Sequence, residues 1–152
     1  MLTVIGVGNP WRRDDGAGLA VARRLQGTLE GVTVLEREGE PAGLIDAWDG
    51  AERLWLVDAV SSDAAPGSVR RIDIAAEELP PDLFRASTHH LGLAEAVELA
   101  RALGRLPVHT VFYGIEGASF DAGEGLSHEV EQAVDAVAQA ISEEVERCTS
   151  AS

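Results

Sequence analysis

Three polar stretches carry residue types that can do chemistry. Gly8-Asn9-Pro10-Trp11-Arg12-Arg13-Asp14-Asp15-Gly16 follows a short apolar run, Asp58 interrupts a second apolar run, and Ser87-Thr88-His89-His90 precedes a helical pattern. Two carboxylates and one imidazole make an O,O,N donor set suited to a divalent transition metal with open positions. Each group also has a plainer use. Asp14 or Asp15 can cap the helix that follows, because helix N-termini favour carboxylates; the second acid is then surplus to capping. Asp58 can bond the backbone N–H groups of the turn beyond it. It can equally be paired or metal-bound, since a carboxylate among apolar side chains is otherwise costly. A histidine before a helix is more often a cap or a surface residue than a ligand, and His109 and His128 are read that way. Adjacent residues entering a helix point about 100° apart, so His89 and His90 do not both face one metal.

Several other chemistries lack their residues. A G-x-G-x-x-G fingerprint beginning at Gly6 needs a third glycine where Trp11 stands, and Pro10 removes a donor that a phosphate would use. Glu36 or Glu38 is a poor imitation of the ribose-binding acid. No G-x-S-x-G elbow and no H-E-x-x-H helix occur, and the single cysteine, Cys148, sits near the end of the chain. Serine, cysteine and zincin hydrolases are thereby disfavoured.

The elements that must position these groups follow from hydropathy. Strands are expected over Leu2–Val7, Val32–Glu36, Leu54–Ala59, Ser68–Ile74 and Val108–Ile115. Helices are expected from Asp14 or Asp15 through Leu25, over Gly43–Trp48, over Leu91–Leu103 with Leu93, Val97, Ala100 and Leu103 on one face, and over Leu126–Arg147. The fourth strand, with Arg70 and Arg71, suits an exposed edge. Apolar strands separated by helices imply an α/β fold: a three-layer sandwich with a mostly parallel five-stranded sheet and helices on both faces. In such a sheet ligands bind beyond the carboxyl ends of the strands, where strand order reverses. If the order is 2-1-3, Asp15 and Asp58 share one crevice.

The chain has 152 residues, with 12 Lys plus Arg against 26 Asp plus Glu, a net charge of −14. That length suits a single domain, read as residues 1–148 with a frayed tail at 149–152. The charge argues against nucleic acid and anionic membrane surfaces as partners. No apolar run approaches the length of a membrane span, and one cysteine allows no internal disulfide, so a cytoplasmic location is expected.

Val4-Ile5-Gly6-Val7-Gly8-Asn9 followed by Asp14-Asp15-Gly16-Ala17-Gly18 resembles the N-terminus of the hydrogenase maturation proteases. Val57-Asp58-Ala59-Val60, Ser87-Thr88-His89 with Leu93, and Tyr113-Gly114-Ile115-Glu116 resemble later elements of the same family in the same order. The resemblance implies an endopeptidase that removes the C-terminal extension of a nickel-loaded [NiFe]-hydrogenase large-subunit precursor. It also implies that Asp15, Asp58 and His89 are the metal-binding and catalytic triad, with Asp14 the cap. Nickel is then recognised in the substrate precursor, and no permanently bound metal is expected. A metal would polarise the scissile carbonyl or activate water, or a carboxylate would be the general base, as in an aspartyl protease. Glu38-Gly39-Glu40-Pro41 stands where many members carry Asp-Gly-Gly-Thr, which makes Glu38 and Gly39 substrate-binding candidates. The rival readings are a non-catalytic nickel-binding assembly factor and a small-nucleotide or flavin-binding module.

Overall fold

The computed structural model describes residues 1–84 and 91–150. Five strands, β1 (Leu2–Val7), β2 (Val32–Arg37), β3 (Arg53–Val60), β4 (Val69–Asp73) and β5 (His109–Glu116), form one sheet in the order β2-β1-β3-β5-β4. All neighbours are parallel except β4, which runs antiparallel to β5 along the edge. Gly6 of β1 pairs with Val57 of β3, and Asp58 pairs with Gly114 of β5. Strand order reverses at β1 and β3, the position where the expected crevice belongs.

The helices are α1 (Ala17–Leu25), α2 (Pro41–Trp48), α3 (Leu91–Leu103) and α4 (His128–Ser150). They cover both faces of the sheet. Val4, Trp55, Val57, Tyr113 and Ile115 pack against Val21 and Leu25 of α1 and against Val130, Val134, Val137, Ile141 and Val145 of α4. Ile5, Leu54, Leu56, Val60 and Phe112 pack against Leu44, Ile45 and Trp48 of α2 and Leu93, Ala96, Val97 and Ala100 of α3. Each large side chain so buried contributes roughly 1.5–3 kcal/mol. Leu103, expected on the buried stripe of α3, is exposed, and Ala96 takes that place. It is the last residue of the helix, beside a left-handed Gly104 that turns the chain away.

Two starts differ from expectation. α2 begins at Pro41 because the Glu40 carboxylate accepts hydrogen bonds from Ala42 N–H (3.0 Å) and Gly43 N–H (2.7 Å), and proline suits the first helical position. α4 begins at His128 and runs to Ser150, shifted from the Leu126–Arg147 expected.

Candidate active site

The chain between β1 and α1 is a 3-10 turn, Arg13–Gly16, laid over the carboxyl ends of the strands. Neither Asp14 nor Asp15 caps α1, whose N-cap is Gly16 and has no side-chain hydrogen bond. This corrects the capping expectation for both acids. The reason is that Asp14 points away from the helix. Its carboxylate accepts from Ala118 N–H (2.8 Å), Ser119 N–H (3.0 Å), Ser127 N–H (2.7 Å) and Ser127 Oγ (2.7 Å). Burial pushes its pKa up, but the bonds from Ser127, Ser119 and Ala118 outweigh that and hold it below the usual aspartate value. Asp14 is the clamp of the β5–α4 loop.

Asp15 takes no part in that clamp. It is buried, and its Oδ2 accepts from Asn9 N–H at 3.1 Å. Glycines explain how the turn sits so low. Gly8, at φ +157°, leaves no room for a Cβ beneath the Asp15 carbonyl. Gly18, on the first turn of α1, lies against the carbonyl oxygens of both Val7 and Val57, and Gly6 lies against Gly18. The glycine pattern therefore seats a helix start directly on β1 and β3, a backbone approach that any side chain would block.

Asp58 is fully buried within β3, two residues before the strand ends. Its Oδ1 accepts from Ala59 N–H at 2.8 Å. Alternation places it on the face shared by Leu56 and Val60, towards α2 and α3. The strand continues through it, so it is not simply the cap of the turn beyond. Both candidate acids thus lie at the carboxyl ends of two adjacent parallel strands, out of bulk water.

His89 and His90 lie outside the described residues. The chain on either side is well anchored. Before them, Phe84 is bridged to Ser61 just after β3 and packs edge-on against Phe112, with ring centroids 6.3 Å apart. After them, Gly92 rests on the carbonyl of Gly39, just beyond β2. Gly39 is buried there at φ +102°, while Glu38 is exposed. Among the described residues, no three His, Cys, Asp or Glu side chains are grouped to hold a metal ion.

One acid at this end of the sheet escaped the reading of the sequence. Glu116 closes β5, is buried, and accepts from Ser62 N–H (2.9 Å) and Ser62 Oγ (2.6 Å). The signal was the same as for Asp58, a carboxylate ending an apolar strand. A groove of about 500 Å³ opens beside it, lined by Arg12, Ser61, Asp63, Glu116, Ser119 and Asp121. A second cavity, of about 380 Å³, lies at the opposite end of the sheet, where Glu144 accepts from Arg71 and Trp55. Tyr113 also donates to Glu144, and its hydroxyl is pushed up to about 12, chiefly by burial and then by that carboxylate.

The chain matches known proteins along most of its length. The profile of the family described as hydrogenase maturation protease matches residues 19–144. The hydrogenase 2 maturation protease of Escherichia coli is 31% identical over 142 residues, covering 88% of this chain and 84% of that one. The hydrogenase expression/formation protein HupD of Thiocapsa roseopersicina is 29% identical over 125 residues, 79% of this chain but only 56% of its own length. Among solved structures, the [NiFe] hydrogenase maturation protease HybD of Thermococcus kodakarensis superposes with a TM-score of 0.73 at 31% identity, over 95% of this chain and 99% of that one.

Proposed function

This chain belongs to the hydrogenase maturation protease family, and from that premise we propose that it removes the C-terminal extension of a nickel-loaded [NiFe]-hydrogenase large-subunit precursor. The observation that carries the reading is the burial of Asp15 and Asp58 at the carboxyl ends of β1 and β3. Two carboxylates withheld from solvent in this way suit a cation brought by a partner better than they suit stability. His89 completes the donor set by resemblance, and the anchors at Phe84 and Gly92 support it, since both sit at the same end of the sheet.

In this reading nickel belongs to the precursor and is the feature recognised. Asp15, Asp58 and His89 hold it, which fixes the scissile peptide over the pair. A metal so held polarises a neighbouring carbonyl. A carboxylate of the pair takes one proton of the attacking water as the water oxygen bonds the scissile carbonyl carbon, and returns that proton to the amine nitrogen as the C–N bond breaks. The reaction is placed in the cytoplasm, where Cys148 stays reduced. No helix among the described residues is long and apolar enough to cross a membrane.

The test uses purified chain with nickel-loaded and nickel-free precursor, read by intact mass. A single truncation of the loaded form is expected. A loaded precursor left intact by the folded protein contradicts the proposal. Binding without cleavage would indicate an assembly factor.

A further inference from the structure

Asn9 is the only asparagine in the chain, and it stands where β1 gives way to the turn that carries Asp15. Its backbone N–H donates to Asp15 Oδ2 at 3.1 Å. Its side-chain oxygen, Oδ1, accepts from Trp11 N–H at 2.9 Å. Its carbonyl accepts from Arg12 N–H at 3.3 Å, and Asp15 N–H donates in turn to the Arg12 carbonyl at 3.1 Å. Asn9 thus holds the turn through its side chain and its carbonyl, and touches one of the two candidate acids through its N–H.

The turn asks of position 9 only an acceptor. Aspartate and serine close the same turn, in which a side-chain oxygen bonds the N–H two residues on. Pro10 keeps Asn9 in extended backbone and offers no competing N–H. Because Trp11 N–H can only donate, it fixes which end of the carboxamide is the oxygen. The other end, Nδ2, carries N–H donors that have no partner among the described residues. Asn9 is half-buried, so these donors are neither on the open surface nor used by the fold.

Strand register ties Asn9 to the second acid. Gly6 of β1 pairs with Val57 of β3. Val7 therefore comes level with Asp58, and Asn9 lies just beyond, where the strands end. The described acids at this end of the sheet are Asp14, Asp15, Asp58 and Glu116, all buried. An ionised carboxylate only accepts hydrogen bonds. Attack of water on a peptide carbonyl puts negative charge on the carbonyl oxygen, and such surroundings disfavour that charge unless a donor faces it.

We propose that Asn9 is a catalytic residue that donates Nδ2–H to the oxygen of the scissile carbonyl. The inference rests on the protease reading above and deepens it. As the water oxygen bonds the carbonyl carbon, the C=O π pair moves onto oxygen and is met by the Nδ2–H bond. When the C–N bond breaks, the pair returns to form the new carboxyl group. Asn9 keeps its protons throughout. Trp11 N–H and Pro10 hold the carboxamide in place beforehand, so little reorganisation is left for the reaction itself.

The experiment compares wild type, Asn9→Asp and Asn9→Ser on nickel-loaded precursor, with thermal melts run with and without nickel. Both variants keep the acceptor that the turn needs. Aspartate loses the donors and adds a charge; serine stays neutral and is too short to present a donor at the same point. In both, kcat should fall by about 100–1000-fold, the usual effect of removing one such donor. KM should stay within about threefold, as for an interaction made only in the transition state. In Asn9→Ser the melting temperature and its rise on adding nickel should match wild type, because the N–H that Asp15 accepts belongs to the backbone and survives. Cleavage within about threefold of the wild-type rate by either variant overturns the donor role and leaves the protease reading standing. Loss of the nickel response in Asn9→Ser also overturns it, since Asn9 would then only position Asp15. Melting lowered in both variants overturns it as well, by making Asn9 structural. A wild type that leaves the loaded precursor intact fails the protease reading itself, and the donor role falls with it.

Discussion

Gly18 lies so close over Val57, the residue before Asp58, that a Cβ on it would stand 2.3 Å from the Val57 carbonyl oxygen. The same glycine lies against Val7, where a Cβ would be 2.5 Å from the carbonyl oxygen. One residue of α1 thus sets the height of the whole β1–α1 turn above β1 and β3. Gly18→Ala must lift the helix start, since both obstacles are backbone and cannot rotate away. A cost of about 2–4 kcal/mol is expected, at or above the usual range for overpacking. Processing should fall further than stability does, because the lift moves Asp15 relative to Asp58. Chemical denaturation and precursor cleavage on the same preparation check both; a stable, fully active Gly18→Ala would mean that the close seating is dispensable.

Asp14 and Asp15 should separate cleanly by mutation. Asp14→Ala strands three backbone N–H groups and a hydroxyl around the β5–α4 loop, at a cost of about 2–4 kcal/mol. Asp15→Asn should leave stability nearly unchanged and abolish cleavage. The pH dependence follows from the depressed pKa of folded Asp14. A depressed group binds fewer protons when folded, so its contribution is present above its unfolded pKa of about 3.9 and is lost as pH falls through the lower folded value. The stability difference between wild type and Asp14→Asn should therefore shrink as the pH falls below that unfolded value and through the lower folded one. A difference that stays constant on acidification would remove the clamp.

His89 rather than His90 should be needed. The Ser-x-His pattern selects His89, and the anchors at Phe84 and Gly92 hold both ends of its segment at the carboxyl side of the sheet. His89→Ala should lose both cleavage and the rise in melting temperature on adding nickel or cadmium. His90→Ala should keep both. The reverse pattern would exchange the two residues.

Much of this arrangement was legible in the residue pattern, and what was not has physical causes. The strands of the sheet are apolar runs with little alternation, so β1, β3 and β5 were placed to within a residue. Asp58 stood out because a lone carboxylate inside Leu-Trp-Leu-Val-Asp-Ala has few cheap explanations. The role of Asp14 was hidden because its partners, Ala118, Ser119 and Ser127, are over a hundred residues away, and local capping rules see only neighbours. The start of α2 was missed because Glu40 is a weaker cap former than Ser, Thr, Asp or Asn. Glu116 carried the same signal as Asp58 but ends its strand, where an acid reads as turn chemistry.

If Asp15 and Asp58 form the centre that cuts the precursor, Asp58→Asn must silence it. The substitution keeps the shape of a fully buried side chain and removes its charge. Wild type and Asp58→Asn are incubated with the same nickel-loaded precursor, and the large subunit is followed by intact mass alongside thermal melts of the protease. Loss of truncation by a factor of at least about 100, with melting unchanged or raised, is the predicted result, since removing a site carboxylate often relieves repulsion. Truncation at the wild-type rate by folded Asp58→Asn would exclude Asp58 from the cutting centre.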